Sequence, residues 1–76
     1  MKQTVTTGTR YRATIRLGFF EQVATNAQIA EKLTEAGFVE VQVYGSGRDR
    51  FADGRWPGAT TSAELPDQIT KVVVLE

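Results

Sequence analysis

The pattern of apolar and polar residues along the chain predicts three β-strands, two of them from strict alternation. Residues 9–17 alternate cleanly and place on one face Tyr11, Ala13, Ile15 and Leu17. Residues 38–44 alternate in the same way and place on one face Val39, Val41 and Val43. Residues 69–75 differ, because they carry apolar side chains on both faces. Since a strand that is covered on both sides has this composition, the last run is predicted to be a central strand.

Between the first two strands lies the stretch that predicts the only long helix, residues 25–38. Thr25 is a favourable N-cap, and Gln28, three residues later, completes a capping box. Gly37 stands where a left-handed residue ends a helix, and Phe38 follows it in the order of a Schellman motif. The sequence therefore predicts both ends of this helix.

The segments outside these elements allow more than one structure. Residues 1–8 are polar and rich in threonine, and they form either a frayed end or a short edge strand. Residues 19–24 form either a bulged extension of the first strand or an apolar loop that seals the core. Residues 45–58 are rich in glycine and predict a hairpin or long loop, with a turn at Asp53 and Gly54. One short strand around residues 48–52 would return against the strand of residues 38–44.

Together these elements predict an α+β fold in a single domain, residues 1–76. One helix packs on one face of a small mixed sheet of three or four strands, in the order β-α-β-(β)-β. Residues 45–68 form a connection rich in loops. The predicted core contains Tyr11, Ile15, Leu17, Ile29, Leu33, Val39, Val41, Val43, Val73 and Leu75.

Composition limits the chemistry that the chain can perform. Cysteine and histidine are both absent, which excludes disulfides and makes zinc and copper sites improbable. The usual general base of enzymes is missing as well, so we expect a non-enzymatic protein without catalytic residues, metal or cofactor. The formal net charge is zero. No secretory signal and no apolar run of about 18 residues occurs, so we expect a soluble protein, by default cytoplasmic.

The polar face of the first strand carries an arginine stripe made of Arg10, Arg12 and Arg16. As a functional surface, the stripe would bind phosphate, nucleic acid or an acidic protein. The alternative is a solvated sheet face on which these arginines pair with Glu40 or Glu76 across the strands.

The glycine-rich segment carries a second group of candidate binding residues. This group combines aromatic and arginine side chains, the types that dominate binding hot spots: Tyr44, Arg48, Arg50, Phe51, Arg55 and Trp56. The alternative is that Phe51 and Trp56 fold back and cap one end of a small core.

Residues 11–38 combine an alternating strand that begins at Tyr11, a Leu-Gly-Phe-Phe run at residues 17–20, an alanine-bearing amphipathic helix, and Ala-Gly-Phe at residues 36–38. In these features the segment resembles the first half of a SPOR-type peptidoglycan-binding domain. The family repeats strand and helix in its second half, whereas this chain has a segment rich in glycine and arginine there. The resemblance implies binding of cell-wall glycans.

These observations predict a small binding module that acts on another protein through the open sheet face or through residues 45–58. Two alternatives remain: glycan binding of the SPOR type, and single-stranded nucleic-acid binding through the arginine stripe. Membrane insertion is not expected, and the oligomeric state is left open.

Overall fold

The computed structural model of the chain describes residues 1–75. These residues form six strands, one α-helix and a 3₁₀ turn at Glu21–Val23. The other elements are β1 Lys2–Val5, β2 Arg10–Arg16, α1 Asn26–Glu35, β3 Val39–Ser46, β4 Asp49–Arg55, β5 Thr61–Glu64 and β6 Ile69–Leu75. The α+β class predicted from the sequence is confirmed.

The main sheet has four strands in the order β3-β4-β2-β6, and every neighbouring pair is antiparallel. Strands β2 and β3 therefore run in the same direction, but β4 lies between them. Helix α1 connects these two strands, so the expected β-α-β unit is present in its split form. Strands β1 and β5 form a separate two-stranded ribbon.

Both predicted helix ends are confirmed. The Thr25 hydroxyl accepts from the Gln28 amide at 3.1 Å, and the Gln28 side chain accepts from the Thr25 amide at 2.9 Å. At the other end, the amide of Phe38 donates to the carbonyl of Leu33 at 3.2 Å. Gly37 has φ of 115°, the left-handed conformation that the Schellman motif requires.

The core lies between one face of the sheet and a layer formed by α1 and the β1–β5 ribbon. Leu33 of α1, Val5 of β1 and the neighbouring Leu65 belong to the same buried cluster as the inward residues of β2. The other buried apolar residues are Tyr11, Ala13, Ile15, Leu17, Phe38, Ala52 and Ile69. The N-terminal segment thus contains an edge strand, β1. Its partner in the ribbon, β5, belongs to the connection between β4 and β6.

A bulge in β3 overturns part of the predicted core. Glu40 has φ of 54°, and the register between β3 and β4 shifts between Val39 and Gln42. One extra residue reverses which face the flanking side chains occupy. Phe38 is therefore buried, although the alternation placed it on the polar face. Val39 pairs with the outward Arg55 instead of joining the core, so its predicted core position was wrong.

A second bulge changes the faces of β6. The register with β2 shifts at Thr70, so that Val73 lies opposite Arg12 and Leu75 lies opposite Arg10. Both residues were predicted in the core, and both lie on the arginine-bearing face instead. The inward positions of β6 are Ile69, Val72 and Val74. β6 is also an edge strand, so its predicted central place in the sheet was wrong.

Of the two structures predicted for residues 45–58, the hairpin is present and the long loop is not. Strand β3 continues to Ser46, a two-residue turn of Gly47 and Arg48 follows, and β4 runs back from Asp49. Gly47 has φ of 66°, as the first position of a type II′ hairpin turn requires. Gly45 has φ of 100°, and a Cβ there would lie 2.7 Å from the backbone oxygen of Asp49.

Asp53 and Gly54 also lie inside β4 and do not form the predicted turn. Asp53 lies opposite Arg12 of β2 and is bound by it. An added Cβ at Gly54 would lie 3.4 Å from the Phe38 Cβ, an ordinary van der Waals distance. These two residues resemble a turn signal in sequence, but Asp53 forms a cross-strand ion pair and Gly54 packs beside Phe38.

Candidate functional site

No element of residues 1–75 covers the face of the main sheet that lies opposite α1. Its side chains come from alternate positions of the four strands and include Arg10, Arg12, Thr14, Arg16, Gln42, Tyr44, Asp49, Phe51, Asp53, Arg55, Lys71, Val73 and Leu75. We call this surface the open face. Six of the nine sequence-predicted binding residues lie on it, namely Arg10, Arg12, Arg16, Tyr44, Phe51 and Arg55.

Each arginine of the predicted stripe lies beside a carboxylate. The guanidinium of Arg12 makes two hydrogen bonds to Asp53, at 2.7 and 2.9 Å. Arg16 binds Asp49 at 2.6 Å, and Arg10 lies 3.6 Å from Glu40. The predicted pairing with Glu40 is therefore present for Arg10, whereas the predicted partner Glu76 lies outside the described residues. The aspartate partners were missed, because residues 45–58 were not predicted to be a full strand.

The centre of the open face is the pair of Arg12 and Asp53. Asp53 is buried, and the bidentate hydrogen bond from Arg12 lowers the pKa of its carboxyl. The same contact raises the pKa of Arg12. Two parallel hydrogen bonds between a guanidinium and a carboxylate fix both side chains in one geometry, whereas a single hydrogen bond leaves them free to rotate.

Replacing Asp53 with asparagine is expected to lower the free energy of unfolding at neutral pH by about 1–2 kcal/mol, since Arg12 is half-exposed and its pairing is partly screened. The folded-state pKa of Asp53 is lowered, so its stabilisation is complete above the pKa of the unfolded chain, about 3.9, and is lost as the pH falls through the folded-state value. Urea denaturation between pH 7 and pH 2 measures the free energy of unfolding of both proteins. The variant should lose less of this free energy on acidification than the wild type. An equal loss in both proteins would contradict a stabilising role for the ionised Asp53.

Glu40 joins two arginines at the corner of the open face. Its carboxylate accepts from Arg55 Nε at 2.6 Å and lies 3.6 Å from Arg10. The hydrogen bond from Arg55, with a smaller contribution from Arg10, lowers the pKa of Glu40. Since Glu40 is the bulge residue of β3, the left-handed backbone that disrupts the predicted alternation also presents this carboxylate to both arginines.

Exposed apolar groups lie among these ion pairs. Tyr44 and Phe51 are opposite each other on β3 and β4, with ring centroids 6.2 Å apart and planes at 25°. Tyr44, Phe51 and Val73 are each 37–40% exposed. The guanidinium of Arg12 lies 5.8 Å from the centroid of the Tyr44 ring, close enough for a cation–π contact. Burial, and then the proximity of Asp53, raises the pKa of Tyr44.

The other three predicted binding residues do not lie on the open face. Arg50 is buried, and Arg48 is at the hairpin turn, where its Nε donates to the carbonyl of Leu17 at 3.0 Å. Trp56 packs edge-on against Phe38 with ring centroids 5.1 Å apart. The alternative in which Trp56 folds back onto the core is therefore correct. For Phe51 it is not, because that ring lies on the open face.

Residues 19–24 form an exposed apolar surface, away from the open face, that the sequence pattern did not predict. Residues 19–24 neither extend β2 nor seal the core, since Phe19 is 67% exposed, Phe20 87% and Val23 84%. Val23 also borders an apolar groove of about 420 Å³ between the 3₁₀ turn, α1 and residues 66–69. The sequence signal was two consecutive phenylalanines directly after Gly18, which no alternating pattern can bury together.

Comparison with protein-family models, curated proteins and solved structures found no match for this chain. Residues 1–75 contain no group of three or more acidic, histidine or cysteine side chains arranged to hold a metal ion. Within the same residues, no helix has the length and apolar character needed to cross a membrane.

Proposed function

We propose that this chain is a non-enzymatic binding module that recognises an acidic protein surface through the open face. The observation that carries the proposal is the exposed apolar group of Tyr44, Phe51 and Val73 on a sheet face that no other element of residues 1–75 covers. Aromatic side chains surrounded by charged groups are typical of binding hot spots.

The open face is held in place before any partner arrives. Arg12 is fixed by two hydrogen bonds to Asp53, and Glu40 is fixed by Arg55. The aromatic pair lies on regular strands, where side-chain directions are set by the pleat. Because the side chains are already ordered, a partner does not have to supply the free energy of ordering them, which favours binding through this face.

Charge on the open face indicates the chemistry of the partner. Among residues 1–75 the face carries five basic side chains, Arg10, Arg12, Arg16, Arg55 and Lys71, and three acidic ones, Glu40, Asp49 and Asp53. The excess is two positive charges. A protein surface with acidic groups around an apolar or aromatic centre is complementary to this arrangement.

Single-stranded nucleic acid and cell-wall glycan are the competing ligands. A stacked pair such as Tyr44 and Phe51 is a platform on which bases can stack. The arginines beside it, however, already bind carboxylates, so a phosphate would have to displace Asp53 or Asp49 from its arginine. The carboxylates of an acidic protein face the same cost, but a protein partner also buries the apolar centre of Tyr44, Phe51 and Val73, and this burial favours it. Glycan binding rests on the family resemblance of residues 11–38.

Selection of peptides from a random phage-display library on the immobilised chain tests the proposal. We expect enriched peptides that combine acidic residues with an aromatic or aliphatic side chain. Phe51→Ala should weaken their binding by about 30-fold, the effect of losing a hot-spot side chain. Phe20→Ala is the matched control, because it removes an exposed phenylalanine from a different surface and should leave peptide affinity unchanged.

Oligothymidine and denuded glycan strands are titrated in parallel. The proposal would be overturned if either ligand bound with an affinity that Phe51→Ala abolishes while the library gave no enriched peptide. An affinity for oligothymidine that falls steeply with salt would then assign the open face to nucleic acid.

A further inference from the structure

The segment of residues 18–24 presents its apolar side chains from an ordered backbone. Glu21 accepts a hydrogen bond from the amide of Gly18 at 2.6 Å, and the Gln22 side chain donates to the carbonyl of Phe19 at 2.8 Å. Gln68 donates to Glu21 and connects the segment to the loop before β6. The rings of Phe19 and Phe20 contact each other edge-on, with centroids 5.4 Å apart. Their exposure is therefore a feature of a fixed turn.

The same segment borders the apolar groove through Glu21 and Val23. Its floor is formed by Ile15, Leu33 and Ile69, which belong to the buried core. Its rim carries one acidic residue, Glu21, and one basic residue, Lys32. The volume of about 420 Å³ is within the range of sites that enclose an apolar group. Two exposed rings and a recess thus belong to the same short segment of the chain.

We propose that this face is the interface of a two-fold symmetric dimer, in which Phe19 and Phe20 of each copy enter the groove of the other. A two-fold axis requires a patch that is complementary to itself. This patch meets the requirement because Val23 borders the recess and the projecting rings come only three and four residues earlier in the chain. The proposal does not depend on the open face, which lies on the other side of the sheet.

The two exposed rings supply a substantial part of the apolar area that this assembly needs. A phenylalanine side chain buries roughly 150–250 Å², so the exposed fractions of Phe19 and Phe20 amount to about 300 Å². Stable interfaces bury about 800 Å² on each partner. The two rings supply more than a third of that area, and Val23 with the groove walls adds to it. The two rings contact each other, so they form one patch and are not single exposed hydrophobic residues scattered over the surface.

Charge also favours a second copy as the occupant. The chain has nine basic and nine acidic residues, so two copies do not repel each other through net charge. Two-fold rotation exchanges the two rims. Glu21 of one copy can then approach Lys32 of the other, and the same contact forms again on the symmetric side.

Sedimentation velocity from micromolar to millimolar concentration tests the dimer. The wild type should pass from the 8.4 kDa monomer to a species of twice that mass, with no larger assembly. The double variant Phe19→Ala, Phe20→Ala should stay monomeric over the whole range and keep the circular dichroism spectrum of the wild type. The matched control Tyr44→Ala, Phe51→Ala should dimerise as the wild type does.

Lys32→Glu provides a second variant that does not touch the core, since Lys32 is exposed on α1. The substitution leaves only negative charge at these two rim positions, so the facing rims of the two copies repel each other. Dimerisation should weaken by about tenfold at low salt. The proposal is overturned by a wild type that stays monomeric, by open-ended assembly, or by a monomer that co-sediments with phosphatidylcholine vesicles through Phe19 and Phe20. Failure of any of these tests leaves the proposal for the open face unchanged.

Discussion

Replacing Arg50 with methionine is expected to lower the free energy of unfolding by about 2–4 kcal/mol. The Arg50 side chain is buried, and its guanidinium donates to Asn26 Oδ1 at 2.8 Å and to the carbonyls of Gln22 at 3.0 Å and Gly47 at 3.1 Å. These three acceptors belong to the start of α1, the 3₁₀ turn and the β3–β4 hairpin. Methionine retains an apolar stem but leaves all three without this donor.

Urea denaturation followed by circular dichroism measures this loss. Arg16→Met is the matched control, because Arg16 makes one exposed ion pair on the open face and its loss should cost no more than about 1 kcal/mol. Equal destabilisation by the two variants would show that Arg50 does not join the helix start to the hairpin as its hydrogen bonds indicate.

Truncating Trp56 to alanine is expected to cost about 2–4 kcal/mol, the range for losing a large packed aromatic side chain that is partly buried. The ring packs edge-on against Phe38, and its Nε1 donates to the carbonyl of Ala59 at 2.9 Å. It also lies directly under the helix end, where a Cβ on Gly37 would approach the Trp56 ring at 2.9 Å. Removing the indole therefore leaves Phe38 and the C-terminus of α1 without their cover.

Phe51→Ala is the control for Trp56→Ala, since Phe51 is the aromatic residue of the same predicted binding group that lies on the open face. Its loss should cost about 1 kcal/mol in thermal or urea unfolding. A Trp56→Ala protein that is as stable as Phe51→Ala, and that loses peptide binding instead, would assign Trp56 to the binding surface.

The helix and the first long strand were predictable because their signals are local. The capping box at Thr25 and the Schellman motif at Gly37 depend on residues within one turn of each other. The alternation of β2 continues over seven residues without interruption, so its inward and outward faces were both correct. The partly buried Ile29 and the buried Leu33 also lie where the helical spacing placed them.

The errors in the core have one physical cause. A strand keeps its alternation only until an extra residue is inserted, and the bulges at Glu40 and Thr70 each reverse it. Neither glutamate nor threonine is a residue type that predicts a bulge, and a glutamate in the left-handed conformation is uncommon. Val39, Val73 and Leu75 were therefore assigned to the wrong face, although the strands that carry them were predicted.

The candidate site was only half predictable for a related reason. The aspartates that pair with Arg12 and Arg16 become visible only when β4 is recognised as a full strand, and glycines at its ends suggested a loop. The exposure of Phe19 and Phe20 follows from the 3₁₀ turn after β2, whereas the sequence pattern predicted a bulged strand or a sealing loop there.

The most direct test of the proposed function is a residue-resolved map of the surface that a selected acidic peptide contacts. Titration of the peptide into ¹⁵N-labelled protein, followed by amide chemical shifts, gives this map. We expect the largest changes at Tyr44, Phe51 and Val73 and at the strand positions beside them, with the amides of residues 18–32 unchanged. Changes concentrated at residues 18–32, with the open face unaffected, would contradict it.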